Sequence, residues 1–136
     1  MASSPRIVIV DPNDLIPQQV EAAFTLIDRY VTTIKVFLPD DALEEVEAGR
    51  VNTVVAAWQL GRGVQGWELA AKVKEIDPNV HVVLLGNYRD DPEPDDEALE
   101  QSLFVYLKRP YAPPQLLRIL EAAIDNRDIF EAQYQK

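Results

Sequence analysis

The sequence predicts an α/β fold: a five-stranded doubly wound parallel sheet of flavodoxin-like (βα)5 order, with an extended C-terminal helix. Three observations carry this. Five short apolar runs rich in β-branched residues recur along the 136 residues, and such nearly continuous runs mark strands buried on both faces. Between them lie stretches whose apolar residues recur at spacings of three and four, the helical period. Turn-forming residues stand at the junctions.

Each element follows in order. Arg6 to Val10 reads as the first strand and stops at Asp11-Pro12-Asn13-Asp14, four turn formers. Pro17 opens a helical stretch carrying Val20, Ala23, Phe24 and Ile27. Thr32 to Leu38 is the second strand, ended by Pro39; Asp40-Asp41 then caps a short helix over 42–48, closed by Gly49. Val51 to Ala57 is the third strand, and Trp58 to Gln65 a loop holding Gly61 and Gly63. Gly66 to Ile76 is a helix stopped before Pro78. Val80 to Leu85 is the fourth and most apolar strand. An acidic loop from Arg89 to Glu97 follows, then a short helix over 95–102. Leu103 to Leu107 is the fifth strand, and Pro113-Pro114 starts the long last helix.

The length suits one domain. Residues 1–125 form it, and 126–136 are a helical extension or the start of an inter-domain linker. Apolar residues make up 47% and charged residues 26%, a globular rather than disordered balance. There are 13 Lys+Arg against 23 Asp+Glu, a net charge of −10. That balance disfavours direct nucleic-acid binding and adhesion to an anionic membrane. The absence of cysteine excludes disulfides and thiolate chemistry, and a single histidine excludes multi-His metal sites. No run reaches the roughly 18 apolar residues of a membrane span, and residues 1–6 lack the pattern of a signal peptide. A cytoplasmic location is the expectation.

In a doubly wound sheet, ligands sit at the carboxyl ends of the strands. The residues standing there are Asp11-Pro12, Ala57-Trp58, Gly86-Asn87 and Lys108-Arg109-Pro110. No Gly-rich phosphate loop follows the first strand, and no Ser-His-Asp set is present. An enzyme is not expected.

Over about residues 5–125 the chain resembles the receiver domain of bacterial two-component response regulators. The likeness rests on element order and on local sequences: Val10-Asp11, Val54 through Leu60, Gly66-Trp67-Glu68-Leu69, and Tyr106-Leu107-Lys108-Arg109-Pro110-Tyr111. The resemblance implies phosphoryl transfer to an aspartate ending the third strand. Mg²⁺ would be held by that aspartate and an acidic pair after the first strand. A Thr or Ser after the fourth strand and a Lys after the fifth would contact the phosphoryl oxygens.

The sequence departs from that pattern at most of these places. Ala57 stands at the acceptor position, Pro12 at the second acidic position, Gly86 at the Thr/Ser position and Arg109 at the Lys position, with Lys108 one residue away. Only Asp11 remains, and one carboxylate holds Mg²⁺ poorly. No Asp or Glu lies between Val51 and Gln65, so no shift of alignment restores an acceptor. The expectation is a degenerate, atypical receiver, or pseudo-receiver: no metal, no cofactor, and signalling by protein–protein contact without phosphorylation. The alternative is a sensor of a small anionic ligand at the same strand ends, with Lys108 and Arg109 as anion contacts.

Several residues carry two readings each. Asp11 is a residual metal ligand or a turn or helix cap; Lys108 and Arg109 bind an anion or pair with Asp11. Tyr106 matches the family's aromatic switch, or is a half-buried strand aromatic. Trp58 and Trp67 are exposed anchors for a partner, or fill a collapsed metal pocket. His81 sits early in its strand, where a structural role is the default. The acidic run at 89–97 is a solvated loop or steers a basic partner. Leu116, Leu120, Ala123, Arg127, Phe130 and Tyr134 recur at spacings of four, three, four, three and four, a heptad-like stripe. Ten helical residues beyond 126 would project about 15 Å. A protein partner or a homodimer, through this stripe and the neighbouring face with Tyr106, is the expected use; a downstream domain or a frayed tail are the others.

Overall fold

A computed structural model of the chain describes residues 6–11, 15–27, 31–61, 64–86, 104–108 and 111–133. In chain order the elements are β1 (Arg6–Val10), α1 (Leu15–Phe24), β2 (Thr32–Val36), α2 (Pro39–Glu47), β3 (Thr53–Ala57), β4 (Gln59–Gly61), β5 (Val64–Gln65), α3 (Gly66–Ile76), β6 (His81–Gly86), β7 (Val105–Lys108), α4 (Pro113–Ile124) and α5 (Ile129–Gln133). Five strands form one sheet in the order β2-β1-β3-β6-β7, all neighbours parallel. This is the doubly wound, flavodoxin-like receiver fold. α1 packs with α4, and α2 with α3, one pair on each face.

Apolar content follows position in the sheet. The central strand β3 is buried at every residue and its neighbour β6 at five of six, as expected for strands covered on both faces. The edge strand β7 alternates buried and half-buried residues, and β2 has none fully buried. Ile7, Ile9, Leu69, Leu84, Leu116 and Leu120 are among the largest fully enclosed side chains.

Several boundaries differ from the sequence expectation. α2 begins at Pro39, with Asp40 and Asp41 inside its first turn and no side-chain cap at Leu38. Proline suits that first position because its missing N–H would lack a helical partner there. The expected loop after β3 holds a small antiparallel hairpin, β4 with β5, pairing Gln59 with Gln65. The acidic run at 89–97 and the short helix expected at 95–102 lie outside the described residues.

The last helix is the main correction. Instead of running on to 136, α4 ends at Ile124, and Asn126 takes a left-handed φ of 55°, which asparagine tolerates better than most residues. Asp128 Oδ1 then accepts from the N–H groups of Phe130 and Glu131 at 2.9 and 3.3 Å, starting α5 afresh. α5 folds back on α4 and β7 with Ile129 and Ala132 buried. The projecting extension is therefore absent from the described residues. Leu116, Leu120 and Ala123 are fully enclosed in the chain's own core, and Ile129 shares it. Arg127 is exposed in the break and Phe130 is half-buried against the core. The stripe is interrupted, and its first three members have no surface left to give a partner. Tyr134 lies outside the described residues.

Candidate functional site

The carboxyl ends of β1, β3, β6 and β7 converge on one place. Val10 pairs with Ala56, Ala57 with Leu85, and Gly86 with Lys108. This brings together Asp11, Ala57, Gly86, Tyr106 and Lys108. Pro12 and Arg109, also expected here, lie outside the described residues.

Asp11 is only 4% exposed. Its Oδ2 accepts from the N–H groups of Leu15 and Ile16, both at 2.6 Å. The carboxylate thus caps the start of α1 and meets the positive end of its dipole. Of its two sequence readings, the cap is the one these bonds support.

Ala57 is 5% exposed and closes β3 with a methyl group. Just beyond it, Trp58 is 4% exposed; its N–H donates to Leu85 O at 2.9 Å, and its own carbonyl accepts from Gly66 N–H at 2.6 Å. A Cβ on Gly66 would stand 2.6 Å from the Ala57 carbonyl and 3.1 Å from a Leu84 methyl. Only glycine lets α3 start this close to the end of β3. The indole of Trp58 meets the Tyr106 ring edge-on at 5.2 Å and 68°, and the Phe104 ring at 5.9 Å; both geometries are favourable for aromatic pairs. Its Nε1 is enclosed and meets no acceptor among the described residues.

Gly86 completes the arrangement. A Cβ there would collide with the Tyr106 hydroxyl and stand 3.0 Å from Cζ. The tyrosine ring lies inward, over the space that a side chain at 86 would occupy. Trp58, Phe104 and Tyr106 thus form an aromatic plug at the strand ends. Two described cavities, of about 330 and 260 Å³, lie elsewhere: one is lined by Arg127, Asp128, Glu131 and Ala132, the other by Glu21, Phe24, Thr25, Val31 and Thr33.

The two tryptophans part company: Trp58 fills the site and Trp67 is 44% exposed. The plug as a unit is not legible in the sequence. Its signal in the sequence is a glycine at 86 together with aromatics at 58, 104 and 106.

These residues do not fit a magnesium ion. Mg²⁺ takes oxygen ligands in an octahedron, whereas Ala57 supplies no side-chain oxygen and Asp11 Oδ2 already accepts two N–H groups. Among the described residues no cluster of three metal-ligating side chains occurs, and no helix is long and apolar enough to cross a membrane.

His81 lies at the opposite, amino end of the sheet. Burial, the largest effect, pushes its pKa below the usual value; a hydrogen bond to the Asn126 side chain opposes this, Lys74 adds to it, and Asp128 opposes it. Asn126 Oδ1 also accepts from Asn52 Nδ2 at 3.2 Å.

The fold has many counterparts among receiver domains. The response regulator receiver protein from Sinorhizobium medicae is similar at 20% identity and a TM-score of 0.65, covering 93% of this chain and 98% of that one. The signal receiver domain of an HD domain-containing protein from Pseudomonas fluorescens is similar at 20% identity and 0.71, covering 100% and 96%. An uncharacterised protein from Neptuniibacter caesariensis reaches 0.76 at 16% identity, covering 97% and 96%. At these identities the likeness establishes the fold. No family model and no curated protein matches the sequence.

Proposed function

We propose that this chain is a pseudo-receiver: a signalling or regulatory module that works without aspartyl phosphorylation and acts by protein–protein contact. The observation that carries the reading is the aromatic plug. Where phosphoryl transfer to a receiver would need an acceptor carboxylate and room for a phosphoryl group, this chain has the buried methyl of Ala57 beside Trp58, Tyr106 and Gly86. Phosphoryl chemistry also needs charge stabilisation around the equatorial oxygens, and Asp11 is engaged as a helix cap. The receiver neighbours support a signalling role by analogy of fold. The anion-sensor alternative gains no support from the plugged strand ends.

The test uses Trp58 as reporter. Mg²⁺ is titrated, then beryllofluoride or acetyl phosphate is added, with tryptophan fluorescence and intact mass followed together. Unchanged fluorescence and mass are expected. A mass gain of one phosphoryl group, or saturable Mg²⁺ quenching at low millimolar concentration, would overturn the reading.

A further inference from the structure

Among the described residues five large apolar side chains are exposed: Leu26, Phe37, Leu38, Trp67 and Ile76. Isolated cases are ordinary on any protein surface. Three of these five, however, share one rim. Phe37 (60% exposed) and Leu38 (48%) link the carboxyl end of β2 to the first turn of α2. Trp67 (44%) is the second residue of α3, whose first residue is hydrogen-bonded to Trp58 just past the end of β3. β2 and β3 flank β1, so their ends lie about 10 Å apart, and α2 and α3 pack side by side. At about 200 Å² for a large side chain, the three expose about 300 Å² of apolar surface.

The charge that α2 sets beside this patch has one sign, while Lys35 on β2 is paired with Glu21 at 3.5 Å. Asp40, Asp41 and Glu44 are exposed on α2, and that helix contains no basic residue. Asp40 and Asp41 favour the helix start, but Glu44 and Glu47 lie toward its negative end and gain nothing from the dipole.

We infer that the rim formed by Phe37, Leu38 and Trp67 is a docking surface for a basic, amphipathic segment of a partner protein. The inference rests on the protein-contact reading above and names where and what the contact is. Apolar side chains of the segment cover the aromatic rim, and its Lys or Arg residues face the acidic start of α2. A second copy of this chain is the wrong occupant: a two-fold contact would set each acidic helix start against the other, on molecules of net charge −10. The three side chains supply only part of the roughly 800 Å² that each partner buries in a standard interface, so the acidic start of α2 shares in the contact.

The test uses a fluorescently labelled Leu/Lys amphipathic peptide of about five helical turns, titrated with the full chain in about 0.15 M salt, where charge interactions reach only about 8 Å. Saturable binding is expected. Trp67→Ser, Phe37→Ser and the Asp40→Lys, Asp41→Lys pair each weaken it roughly tenfold. Leu26→Ser, at the other end of the sheet, leaves it within about twofold, and a Lys/Gly/Ser peptide of equal charge binds roughly tenfold less well. All substituted side chains are exposed, and circular dichroism confirms that each variant folds. Absence of saturable binding overturns the inference. So does binding that ignores Trp67→Ser and Phe37→Ser, which is charge attraction alone, or a molar mass that doubles with concentration while the peptide fails to compete. The phosphorylation assay runs on the same samples. A phosphoryl mass gain with peptide binding intact defeats the functional reading and leaves the surface; lost binding with no mass gain does the reverse.

Discussion

The two ends of the sheet are built from opposite materials. At the carboxyl end, where folds of this kind place ligands, stand a methyl group, a glycine and the rings of Trp58 and Tyr106 in edge contact, with Phe104, just before β7, tilted against Trp58. At the amino end stands a polar cluster: Asn52 bonds both Thr53 and Asn126, His81 bonds Asn126, and Lys74 Nζ donates to Val80 O at 2.6 Å. Polar side chains at the amino end secure the architecture. They tie the starts of β3 and β6 to the left-handed turn between α4 and α5, while the carboxyl end continues the apolar core.

Removing the plug gives the largest effect. Trp58→Ala lowers unfolding free energy by about 4 kcal/mol, the cost of deleting a buried aromatic and leaving a cavity, read from urea denaturation. Trp58→Phe keeps most of the ring packing and costs about 1 kcal/mol. A loss below about 1 kcal/mol for the alanine variant would show that the carboxyl end is not core.

The two glycines have the next largest effects. At Gly66 the obstacle is the Ala57 carbonyl, which is backbone, so Gly66→Ala costs about 2 to 3 kcal/mol. At Gly86 the obstacle is the tip of the Tyr106 side chain, which can swing away. Gly86→Ala costs about 1 kcal/mol or less, but turns the ring outward and changes Trp58 emission. Equal losses at the two positions show that Tyr106 is as immovable as backbone.

The smallest effect belongs to the amino end. The folded-state pKa of His81 is lowered from 6.5, mainly by burial. The unfolded chain therefore binds more protons between the lowered value and 6.5, and stability rises with pH across that window. Acidifying from pH 7 loses this contribution as pH falls through 6.5 toward the lowered value. His81→Gln flattens the melting-temperature profile in that window; an unchanged slope assigns it to other groups.

Much of this was legible in the chain. Arg6–Val10 and Gly66–Ile76 are recognisable residue by residue, because continuous β-branched runs and helical spacing need no tertiary knowledge. The C-terminal break is harder to read, because the heptad-like spacing outweighs the local signals. Asn126 and Asp128 are turn and cap formers, and the spacing that looked like a seam for a partner instead follows the core face of α4. The hairpin after β3 announced itself only by Gly61 and Gly63. For the site, the sequence reports which groups are absent, but not what fills their space. Whether Trp58 points inward depends on Gly66, Phe104 and Tyr106, which lie up to 48 residues away.

The interlock of Gly86 with Tyr106 bears on how this surface can change over time. Installing a carboxylate through Ala57→Asp would enclose a charge beside Trp58, a costly step unless it is paired. Placing a hydroxyl through Gly86→Thr first requires Tyr106 to leave, and recruiting Asp11 to a cation means uncapping α1. Each of these steps lowers stability before any gain in chemistry arrives. On the proposed pseudo-receiver reading, a lineage carrying this plug is held in place by a ratchet: its route to a phosphoryl-accepting site runs through several coordinated replacements, while single substitutions at the exposed rim of Phe37, Leu38 and Trp67 change what docks there at little cost in stability.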